Sequence, residues 1–512
     1  MAQEALVESI VLEDLMECAQ SLEDIAYATP NRNRVHGSEG HLNSVAYFVR
    51  ELEALGDYYA VEKQAFTTEV TMASSSALSV NGEAVEAGPF SFSNNGTWSD
   101  APLVPVADLG CGADDYPAAL AGAVALIARG DCTFAAKAEL AAAAGAVGVI
   151  IYNNADVGLA AGTLGGANDL VAVGGISRAD GLRLVAAYGG NGTAAPALRS
   201  SGAFWSYTVN ATSYNVVASS RGGDADNVLM LGAHSDSVEA GPGINDNGSG
   251  SCGLLAIAKK LAAWRTTNQV RFAWWTAEEE GLLGAEHYTE ITPAAEMEKI
   301  RLYLNFDMRI SGSFLGGVGD QPTRYEAYLD AIVASPNYVL GIYDGDGSAF
   351  NLTGPTGSDK IEAFFESYCM SSQLLIYLSP CFWRYKAQGL PFVPTEFSGR
   401  SDYGPFLDHG VPCGGLETGA DGIKTEEEVA LFGGVAGAWY DPNYHSAADN
   451  VTNLATDAFE IVSKAIAHGV ATYGASWGDF PTRNATGVAR RGLGPRRYGL
   501  SGKGSRFSKR SY

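Results

Sequence analysis

The stretch that decides the fold runs from residue 227 to residue 307. It reads NVLMLGAHSD (227–236), INDNGSGS (244–251), SCGLLAIAKKLAAW (251–264), QVRFAWWTAEEEG (269–281) and IRLYLNF (300–306), followed by Asp307. The first, fourth and fifth segments are short apolar runs of the kind that form buried strands. Between the first two strands lies a glycine-rich turn, then a helix whose Leu254, Leu255, Ala258 and Leu261 recur at helical spacing. Each strand ends in the same chemistry. His234 and Asp236 follow the first, Glu278, Glu279 and Glu280 the second, and Asp307 the third. Open α/β sheets place their binding crevices just past the carboxyl ends of the strands. One such residue would mean little, but three separate strands doing so together predict a site.

Outward from this stretch, an α/β pattern extends from about Ser213 to Trp477. Residues 1–55 read as two amphipathic helices joined by a connector at Thr29–Gly40, and residues 58–95 as short β segments with the turn signal Asn81-Gly82. From about Asp100 to Ser200 the composition shifts to Ala, Gly and Val. There AVALIARG and AVGVIIYNN read as strands flanking the helix AAKAELAAAAG, which a glycine ends. The expected organisation is an N-terminal part of the main domain (1–97), a compact α/β insert (98–205), the rest of the main domain (206–478) and a basic tail without assigned structure (479–512).

The chain has 512 residues, 46% of them hydrophobic, enough for large packed cores. Lys plus Arg number 33 against 58 Asp plus Glu, a net charge of -25. Binding to nucleic acid is not expected, because a polyanion needs a basic surface. The basic side chains Arg483, Arg490, Arg491, Arg496, Arg497, Lys503, Arg506, Lys509 and Arg510 crowd the tail, so the globule itself is strongly acidic. No apolar run is long enough to span a membrane, and the first twenty residues lack the basic start and unbroken apolar stretch of a secretory signal. Seven Asn-X-Ser/Thr sequons (Asn95, Asn191, Asn210, Asn247, Asn351, Asn450, Asn484) point toward the secretory pathway. The expectation is a secreted or vacuolar, lumenal protein whose signal is not in this sequence. Of seven cysteines, Cys111/Cys132 and Cys369/Cys381 are close enough to pair locally, and Cys252 is expected to be an inert buried thiol.

Histidine with carboxylates and no cysteine is a ligand set for zinc or a similar divalent ion. Two metals about 3.5 to 4 Å apart require a carboxylate that bridges them. Adjacent Glu278 and Glu279 can divide the work, one as ligand and one as general base. The segment DPNYHSAAD (441–449) adds His445, with Tyr444 as a hydrogen-bond donor to a developing oxyanion and Asp449 as an orienting group for the imidazole.

In order, HSDS, INDNGSGS, AEEEGLLGA, NFDM and YHSAAD resemble the di-zinc exopeptidases of metallopeptidase family 28, aminopeptidase Y type. So do NRVHGSEGHLNSVAYFVRELEALG (33–56) and EFSGRSDYGPFLDHGVPCGGLETGADGIKTEEE (396–428). The insert, with GAVALIARGDCTFAAKAELAAAAGAVGVIIYNN (122–154), resembles a protease-associated domain. The resemblance implies an α/β zinc-exopeptidase fold, its mixed central sheet flanked by helices, with a smaller inserted α/β domain. It implies two zinc ions, His234 and Asp307 on the first, Glu279 and His445 on the second, and Asp246 bridging. Glu278 would be the general base for the attacking water and Tyr444 an oxyanion donor. Asp236 would support the metal site from outside, and Arg400 would lie in the substrate pocket. Peptide N-termini would be the substrates.

Three features depart from the family pattern. Cysteines that often flank the Tyr-His pair are Asn443 and Ala448 here. The usual GGLFTGA reads GGLETGA, so Glu417 stands where an aromatic is expected and would favour Lys or Arg at the substrate's first position. The basic tail has no counterpart. Two rivals remain: a carboxypeptidase of the same superfamily, with Arg400 clamping a C-terminal carboxylate, and an inactive receptor-like binding protein. Glu280 is expected to face solvent, and Asn247, inside the metal loop, to carry no glycan.

Overall fold

The computed structural model describes residues 2–130, 132–154, 158–160, 162–164, 170–189, 198–307, 337–370 and 390–483. In chain order the strands are β1 (Tyr59–Val80), β2 (Glu83–Val85), β3 (Gly88–Pro89), β4 (Gly96–Pro105), β5 (Val124–Ala128), β6 (Gly148–Tyr152) and β7 (Val173–Ile176). They continue as β8 (Arg199–Ser220), β9 (Asp224–His234), β10 (Asn268–Trp275), β11 (Ile300–Phe306), β12 (Gly341–Tyr343), β13 (Val393–Thr395) and β14 (Cys413–Glu417). The chain divides into two compact units, Met1–Thr67 with Thr212–Leu493, and one around Thr68–Ala211. The second starts well before the composition shift at about Asp100, because β3 pairs antiparallel with β7 inside it.

In the first unit the strand order is β13-β12-β14-β11-β9-β10-β8. β9, β10, β11 and β14 run parallel, while β8 and β12 are antiparallel to their neighbours β10 and β14. Successive residues of the central strands feed two cores. Leu229, Leu231, Phe272, Trp274, Leu302 and Leu304 enter one, and Val228, Met230, Ala273, Trp275, Ile300 and Tyr303 the other. A sheet buried on both faces needs no polar alternation, which is why these strands read as unbroken apolar runs. Each fully buried large side chain contributes about 1.5–3 kcal/mol. The site at the sheet's edge therefore stands on a rigid base.

The helices at Leu12–Tyr27, Gly250–Leu261 and Thr456–Ala475 pack in the first core, presenting Leu15, Ala19 and Leu22, then Leu254 and Ala258, then Phe459, Val462, Ile466 and Val470. Cys18 and Cys252 lie on two of them with Cα atoms 5.6 Å apart and form a disulfide. This corrects the expectation that Cys252 is a free thiol. Its partner is 234 residues away, and only helix packing brings the two together. Among the described residues Cys369 and Cys413 are buried and in no disulfide. Cys381 lies outside the described residues, so the expected Cys369–Cys381 pair has one described member.

In the second unit β4, β5, β6 and β7 pair in parallel, β8 adds antiparallel to β4, and the helices Phe134–Ala143 and Arg178–Gly189 complete an α/β layer. The Thr133 hydroxyl starts the first helix by accepting the Ala136 N–H. Cys111 and Cys132 are disulfide-bonded there. Instead of several short segments, residues 59–80 form one long strand, in which β-branched Val61, Thr67, Thr68, Val70 and Thr71 favour extended backbone.

Candidate metal centre

β9, β10 and β11 end on one edge of the sheet, with Trp275 registered against His234. His234 closes β9, Asp307 directly follows β11, and Glu278 and Glu279 follow β10 through a tight turn in which Ala277 has φ 55°. Asp246 lies in the loop Ile244–Ser249 that leads into the helix Gly250–Leu261. That loop is anchored at both ends. Asn247 Nδ2 donates to Phe306 O at 2.9 Å, and the Asp449 carboxylate accepts the N–H groups of Asn245 (2.8 Å) and Asp246 (3.0 Å). Asp449 therefore holds the loop of Asp246, whereas the sequence suggested that it orients the His445 imidazole. His445 itself has φ 54°. That left-handed conformation costs a non-glycine residue on the order of 1–3 kcal/mol, so its surroundings must hold it.

Six side chains converge. His234 Nε2 lies 3.2 Å from Asp246 Oδ1, 3.2 Å from Asp307 Oδ1 and 3.9 Å from Glu278 Oε2. His445 Nε2 lies 3.1 Å from Asp246 Oδ2 and 3.0 Å from Glu279 Oε2. Asp246 thus turns one oxygen to each histidine. Ligand atoms of a tetrahedral zinc site with bonds near 2.0–2.1 Å sit roughly 3.3 Å from one another, so this spacing suits a metal. Among the described residues, Glu279 Oε1 and His445 Nε2 are enclosed and make no hydrogen bond, although carboxylates surround them. Enclosed polar atoms of this kind fit ligands that a cation satisfies. His234, Glu278 and Asp307 form one candidate metal-holding group, and His234, Asp246 and Glu279 a second.

The electrostatics agree. Burial lowers the proton affinity of His445, but Glu279 and Asp246 outweigh it and raise its pKa to about 10. His234 is likewise raised, with Asp307 and Glu278 overcoming burial. Both shifts express a field that favours positive charge here. Burial, then Asp307, Asp402 and Glu279, push Glu278 well above the carboxylate range, against the pull of His234. A carboxylate raised in this way is a strong proton acceptor.

Around these groups, Asp236 lies 3.6 Å from His234 Nδ1 and accepts the N–H groups of Glu278 and Glu279, each at 3.3 Å. The Tyr444 ring stacks on the His445 ring with centroids 3.7 Å apart. Arg400 is engaged by Asp421 through two contacts of 2.9 and 3.3 Å. Glu417, at the end of β14, accepts from Tyr343 Oη at 3.3 Å, and burial raises it to about 7. Glu280 does not face solvent: it is half-buried against Asp236 and Glu279, and burial followed by those charges raises it strongly. The turn after β10 folds it inward. Asn247 is fully buried, which leaves no room for a glycan, while Asn95, Asn210 and Asn351 are exposed.

Sequence reasoning assigned no role to three residues here. Ser401 Oγ donates to Asp307 Oδ2 at 2.7 Å and accepts from Asn305 at 2.8 Å. Asp402 is 1% exposed with neither oxygen in a hydrogen bond among the described residues. Arg34 is fully buried beneath the metal loops. Ser401 and Asp402 adjoin Arg400 in the quoted segment, and Arg34 lies in the quoted N-terminal segment, but only the tertiary fold reveals their partners.

The model of peptidase family M28 matches residues 215–335 and 348–470, and that of the PA domain residues 99–184. A probable leucine aminopeptidase 2 of Aspergillus fumigatus is 48% identical over 492 residues, 95% of this chain and 88% of the relative. The chain belongs to peptidase family M28. Leucine aminopeptidase 2 of Arthroderma otae is 42% identical over 98% of this chain and 91% of its own length. An aminopeptidase from Aneurinibacillus sp. strain AM-1 superposes with a TM-score of 0.66 at 26% identity, covering 94% of this chain and 98% of that one. A zinc aminopeptidase from Bacillus subtilis shares the fold, with a TM-score of 0.62 at 22% identity over 91% and 96% of the two chains. This M28 chain, with its inserted PA domain, is a metal-dependent aminopeptidase that acts on peptides.

Proposed function

We propose that this aminopeptidase binds two zinc ions, His234 and Asp307 holding one, Glu279 and His445 the other, and Asp246 both. The observation that carries this reading is the carboxylate of Asp246, whose Oδ1 and Oδ2 lie 3.2 and 3.1 Å from the two imidazoles. Bound zinc would polarise the scissile carbonyl and lower the pKa of water. Glu278 takes a proton from the attacking water and returns it to the departing amine, a task suited to a buried carboxylate of raised proton affinity. Tyr444, stacked on His445, donates its hydroxyl to the oxyanion. Asp236 and Asp449 hold His234 and the Asp246 loop in place.

The amino end of the substrate is a cation, and the acidic groups Glu278 and Asp307 at the centre are suited to hold it. Arg400 is already neutralised by Asp421, which argues against its clamping a C-terminal carboxylate. Glu417 is assigned to the pocket for the substrate's first side chain. For the PA insert, boundaries near residues 98 and 205 are proposed, inside the larger compact unit around Thr68–Ala211, and an oxidising, secreted or lumenal compartment is supported by the Cys18–Cys252 and Cys111–Cys132 disulfides. The test uses one peptide and its N-acetylated twin, followed by mass spectrometry with and without chelator. Stepwise loss from the free N-terminus, abolished by acetylation and by chelation, is expected. Cleavage of the acetylated twin would sink the reading.

A further inference from the structure

Arg34 has no exposed surface, yet among the described residues no carboxylate lies within ion-pair distance of it. Its guanidinium spends its donors on backbone carbonyls. Nε donates to Pro242 O at 2.7 Å, Nη2 to Gly243 O at 2.5 Å, and Nη1 to Ser235 O. Its own N–H donates to Ser237 Oγ at 2.9 Å, and its carbonyl accepts from Ser237 N at 3.2 Å. One side chain therefore ties down the residue after His234 and the two residues that open the loop of Asp246. Close packing reinforces the clamp. Gly243 has φ 60°, and a Cβ there would lie 3.3 Å from Arg34 Nη2 and 2.5 Å from Ser237 Cβ. Burial lowers the guanidinium to about 10, while Asp236, Asp449, Asp246 and Glu279 draw it upward, so it stays charged at neutral pH. A buried charge without a paired carboxylate is expensive, and persists where hydrogen bonds and a surrounding field compensate it.

We propose that Arg34 is a positioning residue of the metal centre, which fixes the two backbone segments carrying His234 and Asp246 in mutual register and places a buried positive charge behind the ligand carboxylates. This rests on the reading of His234 and Asp246 as metal ligands. Arg34 touches neither substrate nor reacting atoms; it acts through the loops. Lysine retains the charge but cannot reach three carbonyls with a fixed planar fork.

The experiment compares the full chain with Arg34→Lys, Arg34→Met, Ser237→Ala and Asp246→Asn. Zinc retained in equilibrium dialysis against a chelator series is measured by elemental analysis, and Tm is measured with and without zinc. Arg34→Lys is expected to weaken zinc retention about 10- to 100-fold, the usual effect of losing an outer support. The Tm gain on zinc addition should shrink, and kcat should fall with KM little changed. Ser237→Ala should shift retention in the same direction by less, so the test survives if Arg34→Met does not fold. Retention by Arg34→Lys and Ser237→Ala at the wild-type chelator midpoint would overturn the inference. So would equal falls of Tm with and without zinc, which mark a purely structural role. Asp246→Asn separates the two readings: if it keeps zinc, the ligand assignment fails, whereas if it loses zinc while Arg34→Lys does not, only the role of Arg34 fails.

Discussion

Replacing Glu278 by glutamine tests the division of labour within the acidic turn after β10. Glutamine keeps the volume and the hydrogen-bond reach of glutamate but cannot accept a proton. Glu278 Oε2 is 3.9 Å from His234 Nε2, farther than Asp246 or Asp307 at 3.2 Å, so the change should leave the ligand set intact. Removing one buried acid from a crowded cluster also relieves repulsion with Asp307, Asp402 and Glu279, so the fold should not suffer. What is lost is general-base catalysis, worth about 10²–10⁴-fold in rate. At 1.36 kcal/mol per decade this is roughly 2.7–5.4 kcal/mol of barrier. The assay measures kcat and KM on a chromogenic aminoacyl anilide beside zinc content and Tm. We expect kcat to fall by that factor, with KM within about threefold and zinc and Tm unchanged. A fall of less than about tenfold with zinc retained would refute the role of Glu278.

The remaining predictions concern the bridge, the pocket and the long-range disulfide. Glu279→Gln, in contrast to Glu278→Gln, should lower zinc content as well as kcat, because Glu279 is the carboxylate proposed as a ligand; equal zinc content in the two variants by elemental analysis would refute this. Burial pushes Glu417 up to about 7, so its charge is lost below that pH, and the ratio of Lys to Leu release should rise as pH increases through 7 and should be flat in Glu417→Phe. Product ratios across pH 5.5–8.5 check this, and a wild-type ratio independent of pH would count against it. The double change Cys18→Ser, Cys252→Ser opens a loop of sequence separation 234 and should cost about 2–5 kcal/mol, read as a lower denaturant midpoint with activity retained in the folded fraction.

What was legible in the sequence was what short-range pattern carries. His234, Glu278, Glu279 and Asp307 announce themselves because each ends or follows an apolar run, and the parallel register of β9, β10 and β11 gathers such ends on one edge. Asp246 was legible as part of a glycine-rich turn before a helix. Contacts set by tertiary packing were not. The partner of Cys252 lies on the N-terminal helix Leu12–Tyr27, and nothing local links the two. Arg34 binds carbonyls more than 200 positions away, and a carbonyl has no side-chain signature. The orientation of Asp449 toward the Asp246 loop depends on a hydrogen bond spanning 203 residues. Acidic runs usually face solvent, but here a turn with Ala277 in the left-handed region folds Glu280 into the protein.

The most direct test of the central claim is anomalous diffraction at the zinc absorption edge from crystals of the zinc-loaded enzyme. Two anomalous peaks about 3.5–4 Å apart are predicted. One should lie beside His234 and Asp307, the other beside Glu279 and His445, with the Asp246 carboxylate between them. A single peak, or peaks away from these five residues, would contradict the account.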